Sequence, residues 1–278
     1  MGSCIIYVFK LKRKKETNII KEDRTGEIGY NKFGTPMKII KYHNTSNLTI
    51  EFQDVHKYKM NTTIQNFNRG QVKNPYDRIV FGIGYLGEGE YKTIGKHKGD
   101  RFVDNVYTIW RNMIERCYSE EFRSKHLTYI DCYVSDEWHC FQNFASWYYP
   151  NHYQVGTERM HLDKDILYKN NKFYSPETCL IVPQRINMMF IHPINKSDLP
   201  TGISRCKYGY VALYNTKHLG EFKTIDEAMY EYNKEKQIHI RNVADEYKAI
   251  VPNKLYQALY NWIPDESKII QKESINVA

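Results

Sequence analysis

The chain has 278 residues, enough for two or three small domains, and its 41% hydrophobic and 14% aromatic content excludes an intrinsically disordered protein. Forty Lys and Arg residues against 32 Asp and Glu give a net charge of +8. This basic excess is compatible with a nucleic-acid partner, although proteins of many other classes share it. The sequence contains no apolar run long enough to span a bilayer, so we predict no membrane partner.

Cysteine usage bears on the cellular compartment and on zinc. The six cysteines are scattered, without a Cys-x-x-Cys pair, which argues against a zinc ribbon and a secreted disulfide framework. We therefore predict free thiols, mostly packed in cores, in a reducing cytoplasm. A zinc site at His139-Cys140 with Cys117 and Cys132 is the less favoured alternative, because the spacing is poor.

The N-terminal part of the chain predicts a basic arm followed by a small β module. Within residues 1–24, the apolar run Cys-Ile-Ile-Tyr-Val-Phe predicts a strand, and the basic cluster from Lys10 to Lys15 is typical of a solvated or phosphate-contacting arm. Within 25–90, two β-rich runs at 37–42 and 48–52 flank a polar, turn-like sequence. We predict a small barrel or curled sheet in this region.

The middle of the chain, residues 91–195, predicts two helices before a hairpin. The first spans 104–119, and its apolar residues recur at helical spacing: Val106, Ile109, Trp110, Met113, Ile114 and Cys117. The second begins near Asp136, and its apolar side carries Trp138, Phe141, Phe144, Ala145 and Tyr148. We expect these aromatic residues to form a core rather than a cofactor site.

The C-terminal part, residues 200–264, predicts strands and then helices. Thr224 and Glu227, three positions apart, form the pattern of a capping box at the start of a helix. The predicted elements are strands at 210–214 and 217–222 and helical patterns at 238–247 and 254–262, with a plausible linker at 195–200 and a frayed tail at 265–278. The whole pattern predicts a multidomain α+β protein.

A stretch of the C-terminal region resembles a known DNA-binding domain. The run Gly202-Ile-Ser-Arg-Cys-Lys-Tyr-Gly-Tyr-Val-Ala-Leu-Tyr, with Leu219-Gly-x-Phe222 and Glu227-Ala228, is similar to the AP2/ERF type over about 35 residues. That family lays a three-stranded sheet, backed by a helix, into the major groove. The resemblance implies double-stranded DNA as partner and implicates basic and aromatic residues on the sheet, namely Arg205, Lys207, Tyr210, Lys217 and His218, with Tyr214 as a further contact. The alternative is a small domain with an ordinary solvated basic face.

A second resemblance covers about 90 residues of the middle region. It begins at Tyr107-Thr-Ile-Trp-Arg-Asn-Met-Ile-Glu-Arg-Cys-Tyr and continues through Leu162-Asp163-Lys164, Tyr174-Ser-Pro-Glu-Thr-Cys179 and Gln184 to Asn187. In order and spacing this series resembles phage HNH homing endonucleases, whose ββα hairpin holds a divalent metal. The resemblance implies metal-dependent hydrolysis of DNA phosphodiester bonds with Mg²⁺ or Mn²⁺, in the cytoplasm of a host bacterial cell.

Four residues of the predicted hairpin are candidate metal ligands. Asp163 is the first, with Asp165 as an alternative or accessory carboxylate, because Mg²⁺ prefers hard oxygen ligands. Thr178 occupies the position where the family pattern has an asparagine ligand, and Glu177 is the candidate replacement. The alternative without a function is that Asp163 and Lys164 form a surface ion pair that contributes little to stability.

Two residues of the predicted hairpin are candidate catalytic groups. Lys164 stands where the family has its histidine base; an ammonium does not ordinarily accept a proton, but it can hold a phosphate. His161 is expected on the same strand face as Asp163 and is therefore the substitute base, unless it is an ordinary packed or surface residue. Arg185 is a further candidate DNA contact, or simply part of a helix start.

Three functions stay open at this point. The leading hypothesis is a phage-type HNH-like endonuclease. The second is a catalytically degenerate HNH fold that acts as a sequence-specific DNA-binding or host-interference protein. The third is a protein-interaction factor that uses the surfaces formed by its 24 tyrosines. The sequence gives no indication of the oligomeric state.

Overall fold

A computed structural model describes residues 23–97, 100–191 and 198–264. It has the predicted mixed α+β composition, with several small sheets, and the chain divides after Asp77 into an N-terminal and a C-terminal unit. Nearly all of the predicted basic arm, most of the predicted linker and the predicted tail lie outside the described residues. In the described ranges, no helix combines the length and the apolar character that crossing a membrane would require.

The N-terminal unit is an antiparallel four-stranded sheet with one short helix. Its elements in chain order are β1 (Ile28–Tyr30), β2 (Pro36–Asn44), β3 (Asn47–Phe52), β4 (Lys59–Thr62) and α1 (Ile64–Asn68). The two predicted strands are confirmed as β2 and β3. Met37 lies opposite Phe52 and Ile39 opposite Ile50 in the register. Because successive side chains of a strand point to opposite faces, these four buried residues share one core. Phe67 of α1 packs against that core.

Besides two short 3-10 helices (Leu127–Tyr129 and Asp136–His139), the C-terminal unit contains nine strands and six α-helices among its described residues. In chain order they are β5 (Ile94–His97), β6 (Asp100–Val103), α2 (Asn105–Tyr118), α3 (Glu120–Lys125), β7 (Tyr133–Val134), α4 (Phe141–Asn151), β8 (Met160–Asp163), β9 (Phe173–Tyr174), β10 (Leu180–Pro183), α5 (Gln184–Met188), β11 (Ile203–Cys206), β12 (Gly209–Tyr214), β13 (Lys217–Phe222), α6 (Ile225–Tyr247) and α7 (Asn253–Tyr260). The pairs β5–β6 and β8–β10 are antiparallel, β7–β9 is parallel, and β11, β12 and β13 form one sheet in that order.

Helices α2 and α4 enclose an aromatic core. The predicted first helix is confirmed as α2, which begins after Asp104, whose side chain accepts a hydrogen bond from the Val106 N–H (2.8 Å). The second predicted helix begins at Asp136 as a short 3-10 helix (Asp136–His139), is interrupted at Cys140 and continues as α4. The reason is that Tyr85 hydrogen-bonds the backbone on both sides of Cys140, at the His139 carbonyl and the Phe141 N–H (2.9 Å each), which holds Cys140 in an extended conformation.

The β8–β10 hairpin lies between two cores. Met160 and Ile181 face the core that contains Trp110 and Trp138. Val182, opposite His161 in the register, faces a second core. That second core is built from residues of the loop after β8 and of α5, α6 and α7, namely Ile166, Ile186, Ile240, Val243, Ala244, Leu255 and Leu259. Packing on both faces therefore determines where the candidate site residues of β8 lie.

Helix α6 joins the C-terminal sheet to the hairpin. The predicted capping box is confirmed: Thr224 accepts from the Glu227 N–H (3.2 Å), and Glu227 accepts from the Thr224 N–H (3.2 Å). The 23-residue helix is continuous through the predicted pattern at 238–247, and α7 corresponds to the last predicted helix. Ala228 packs with Ile203 and Ala212 of the sheet, while the second half of α6 reaches the hairpin core.

The five cysteines among the described residues are free, and four of them are packed in cores as predicted, namely Cys117, Cys132, Cys140 and Cys179; Cys4 lies outside the described residues. Burial raises the pKa of the Cys117 and Cys179 thiols to about 12, whereas Cys206 is half-exposed on β11. Since a buried thiol is shielded from the reagent and is harder to deprotonate, we expect Cys117 and Cys179 to react with iodoacetamide far more slowly than the half-exposed Cys206 at about pH 8. Peptide mapping after a short exposure measures this. Equal labelling of Cys179 and Cys206 in the native protein would contradict the packing described above.

Candidate functional site

Lys164, which the HNH resemblance places at the position of a histidine base, is buried. Only 7% of its surface is exposed. Its ammonium donates to both carboxylate oxygens of Asp165 (2.8 and 2.7 Å) and to the Asn171 carbonyl (2.5 Å), and it lies 5.7 Å from the centre of the Tyr174 ring. Asn171 in turn donates to the Lys164 carbonyl (2.8 Å). The side chain therefore closes the loop between β8 and β9, and its three donors already have acceptors.

Asp163 is also engaged in local backbone bonds. Its Oδ1 accepts from the N–H groups of Asp165 (2.9 Å) and Ile166 (2.8 Å), so the carboxylate turns the chain out of β8. Burial raises the pKa of this carboxyl to about 6, against the opposing effect of those two hydrogen bonds. The side chain begins the same loop that Lys164 closes.

The remaining predicted ligands lie on the turn before β10. The Thr178 hydroxyl donates to the Phe173 carbonyl (2.7 Å) and accepts from the Ser175 N–H (3.1 Å), which ties the turn together. Glu177 has an exposed carboxylate, and a hydrogen bond from the Ser175 side chain lowers its pKa. The Glu177 carbonyl accepts from Lys254 of α7 (3.0 Å). Thr178 is thus a structural residue of the turn.

His161 is the hairpin residue with unused hydrogen-bonding capacity. Strand alternation places it on the same face of β8 as Asp163, as predicted. Its Nε2 is shielded from solvent and has no hydrogen-bond partner among the described residues. Burial lowers the pKa of the imidazole, and the nearby guanidinium groups of Arg159 and Arg116 lower it further. The ring is therefore held in its neutral form near neutral pH.

These residues do not fit a divalent metal. Both carboxylate oxygens of Asp165 accept hydrogen bonds from the Lys164 ammonium, and the Thr178 hydroxyl donates within the turn. The Oδ1 atom of Asp163 accepts from two backbone N–H groups. In the part of the chain that the structure describes, no group of three or more His, Cys, Asp or Glu side chains converges as a metal centre requires. We therefore derive no catalytic step through a metal at this hairpin.

A polar cleft of about 230 Å³ lies beside β8. Helix α2 contributes Asn112 and Arg116, which are one turn apart, and the segment before β8 contributes Arg159. Sequence reasoning missed both arginines. Arg116 belongs to the string that resembles HNH proteins, and Arg159 directly precedes β8, but only the fold brings them to one cleft.

The predicted DNA contacts of the C-terminal sheet lie on two sides of it. Arg205 is opposite Tyr210 in the register and shares the side of Ala212, which packs on α6. The Arg205 guanidinium donates to both oxygens of Asp198 (2.8 and 3.2 Å). Lys217, opposite the buried Tyr214, donates to Glu235 of α6 (2.7 Å). A DNA phosphate would have to compete with these carboxylates.

Three other predicted contacts have different surroundings. His218 is exposed opposite Leu213, on the side of the sheet that α6 does not cover, and Lys207 is exposed in the turn between β11 and β12. The Lys207 ammonium lies 5.0 Å from the centre of the ring of Tyr208, which is 78% exposed. Arg185 forms an ion pair with Glu246 of α6 (2.5 Å). The roles of these residues in DNA binding stay predictions.

Comparison of the chain with protein-family models, with curated proteins and with solved structures found no match.

Proposed function

We propose that this chain is a double-stranded DNA-binding protein in which the HNH-like hairpin holds DNA without cleaving it. The observation that carries the proposal is the position of Lys164. It replaces the family's histidine, and its buried ammonium is engaged by Asp165 and by the Asn171 carbonyl. A side chain committed in this way neither activates water nor reaches a substrate phosphate.

DNA as the partner is supported by three independent features. The net charge of +8 favours a polyanion. The two sequence resemblances join an HNH-like hairpin to an AP2-like sheet, and both imply DNA as the partner. The cleft beside β8 carries Arg116 and Arg159 without a carboxylate partner among the described residues.

The second candidate function is metal-dependent DNA cleavage. One observation favours it: the Nε2 of His161 is shielded, has no partner and belongs to an imidazole whose pKa is lowered. A neutral imidazole of this kind is suited to act as a general base. This candidate needs a metal site that the hairpin residues do not form, so we place it second.

Binding is tested by the fluorescence anisotropy of a labelled DNA duplex at about 50 and about 200 mM salt. We expect the affinity to fall steeply with salt and to be the same with EDTA and with Mg²⁺. Lys207→Gln is expected to weaken binding a few-fold and to reduce the salt slope by about 1. Lys125→Gln removes the same charge from an exposed, ion-paired position on α3 and serves as the matched control. Absence of binding by the wild-type protein at the lower salt concentration would refute the proposal.

A further inference from the structure

The cleft beside β8 has the charge and the donors of an anion site. Arg116 and Arg159 both line it, and neither guanidinium forms an ion pair in the described part of the chain, although Arg116 also hydrogen-bonds the Tyr174 side chain. Arg185 and Arg205 differ from them, because each of those two has a carboxylate partner at 2.8 Å or less. Glu158 is the one carboxylate among the described residues that line the cleft, so the two guanidinium groups leave it with a net positive charge.

The remaining polar groups of the cleft are consistent with a negatively charged ligand. Glu158 also lines the cleft, but its oxygens accept from the Tyr247 hydroxyl (2.5 Å) and the Arg185 N–H (3.2 Å). Asn112, one helical turn from Arg116, has an amide that can donate. Burial lowers the pKa of the nearby His161, and the charges of Arg159 and Arg116 lower it further.

We propose that this cleft binds a single phosphate group through Arg116 and Arg159. The planar guanidinium donates two parallel hydrogen bonds and matches phosphate geometry. A volume of about 230 Å³ admits one phosphate with part of its ester, not a duplex. The inference deepens the proposed function and rests on it for the source of the phosphate, either the DNA backbone or a 5′-phosphate end.

The first test uses inorganic phosphate as the probe, with chloride and acetate at equal ionic strength as controls. We expect a saturable rise in Tm with phosphate alone. Arg159→Gln is expected to weaken phosphate binding by about tenfold or more, because one charge-assisted interaction is lost. Arg111→Gln, which removes the same charge from an ion-paired position on α2, the helix that carries Arg116, is expected to leave phosphate binding unchanged.

Arg116 lies over the Tyr129 ring at 5.8 Å, so Arg116→Gln also perturbs packing; the exposed Arg159 avoids this difficulty. Equal Tm shifts with phosphate and acetate, or equal phosphate affinity of the Arg159→Gln and Arg111→Gln variants, would overturn the proposed site.

The second test distinguishes the DNA backbone from a 5′-phosphate end as the source of the phosphate, and it distinguishes the phosphate site from the proposed DNA-binding function. Duplexes with a 5′-phosphate and with a 5′-hydroxyl are compared: a preference for the phosphorylated end assigns the cleft to DNA ends, and equal binding that is weakened by Arg159→Gln assigns it to the backbone. If phosphate binds through Arg159 but no duplex binds at about 50 mM salt, the site stands and the DNA-binding function fails. If duplex binds and Arg159→Gln behaves like Arg111→Gln, the function stands and the site fails.

Discussion

Replacing Lys164 with methionine is expected to lower the free energy of unfolding of the C-terminal unit by about 2–3 kcal/mol. Methionine preserves most of the buried chain length but removes the ammonium. The Asn171 carbonyl then loses its donor, and the Asp165 carboxylate, with 45% of its side chain exposed, must be solvated by water instead. The loop between β8 and β9 loses the bonds that close it.

Urea denaturation followed by tryptophan fluorescence measures this effect. All four tryptophans lie in the C-terminal unit, so the signal reports on that unit alone. Lys125→Met is the matched control, because its ammonium forms an exposed pair with Glu121 and its loss is expected to change stability by less than about 0.5 kcal/mol. If Lys164→Met were as stable as Lys125→Met but bound DNA more weakly, Lys164 would be a phosphate contact rather than a structural residue.

Replacing Trp110 with alanine is expected to have the largest effect, a loss of about 3–5 kcal/mol in the free energy of unfolding. The side chain is fully buried, and its ring lies 5.5 Å from that of Phe141, centre to centre. Its Nε1 donates to the Trp138 carbonyl (2.7 Å), which would be left buried without that donor. The substitution therefore combines a large cavity with an unsatisfied acceptor.

The same substitution connects stability to the cleft. Trp110 anchors the helix that presents Asn112 and Arg116, so a partly unfolded Trp110→Ala protein is expected to lose phosphate binding as well. Leu127→Ala, at a residue that is 68% exposed, is the control and is expected to stay within about 0.5 kcal/mol of wild type. A loss below about 1 kcal/mol at Trp110 would show that the aromatic core is packed differently from the structure described above.

Local patterns were sufficient to predict several elements of the fold. The apolar spacing of α2 and the capping box at Thr224 are properties of neighbouring residues, and both are confirmed. The interruption at Cys140, between the 3-10 helix and α4, was not predicted, because the bond from Phe141 to Tyr85 depends on a segment far away in the sequence. Periodicity identifies the apolar face of a helix, but it carries no information about which distant segment hydrogen-bonds to the first turn of that helix.

The state of the candidate site could not be predicted for a similar reason. A lysine after Asp163 suggests an exposed charge, yet Lys164 is buried because the loop returns the Asn171 carbonyl to its ammonium. The sequence also does not say which side of the C-terminal sheet α6 covers, and that side is the one with Arg205 and Lys217. In each case the sequence identifies the chemical character of the side chain but not the residue with which it interacts.

The central claim is that the hairpin holds DNA without cleaving it, and incubation of supercoiled plasmid with excess protein tests this most directly. The assay is run at a salt concentration where binding has been demonstrated, with Mg²⁺ or Mn²⁺, and compares wild type with Asp163→Ala and His161→Ala. We predict that the plasmid remains supercoiled in every reaction. Metal-dependent nicking by wild type that disappears in the Asp163→Ala and His161→Ala proteins would contradict the claim and establish the hairpin as a nuclease site.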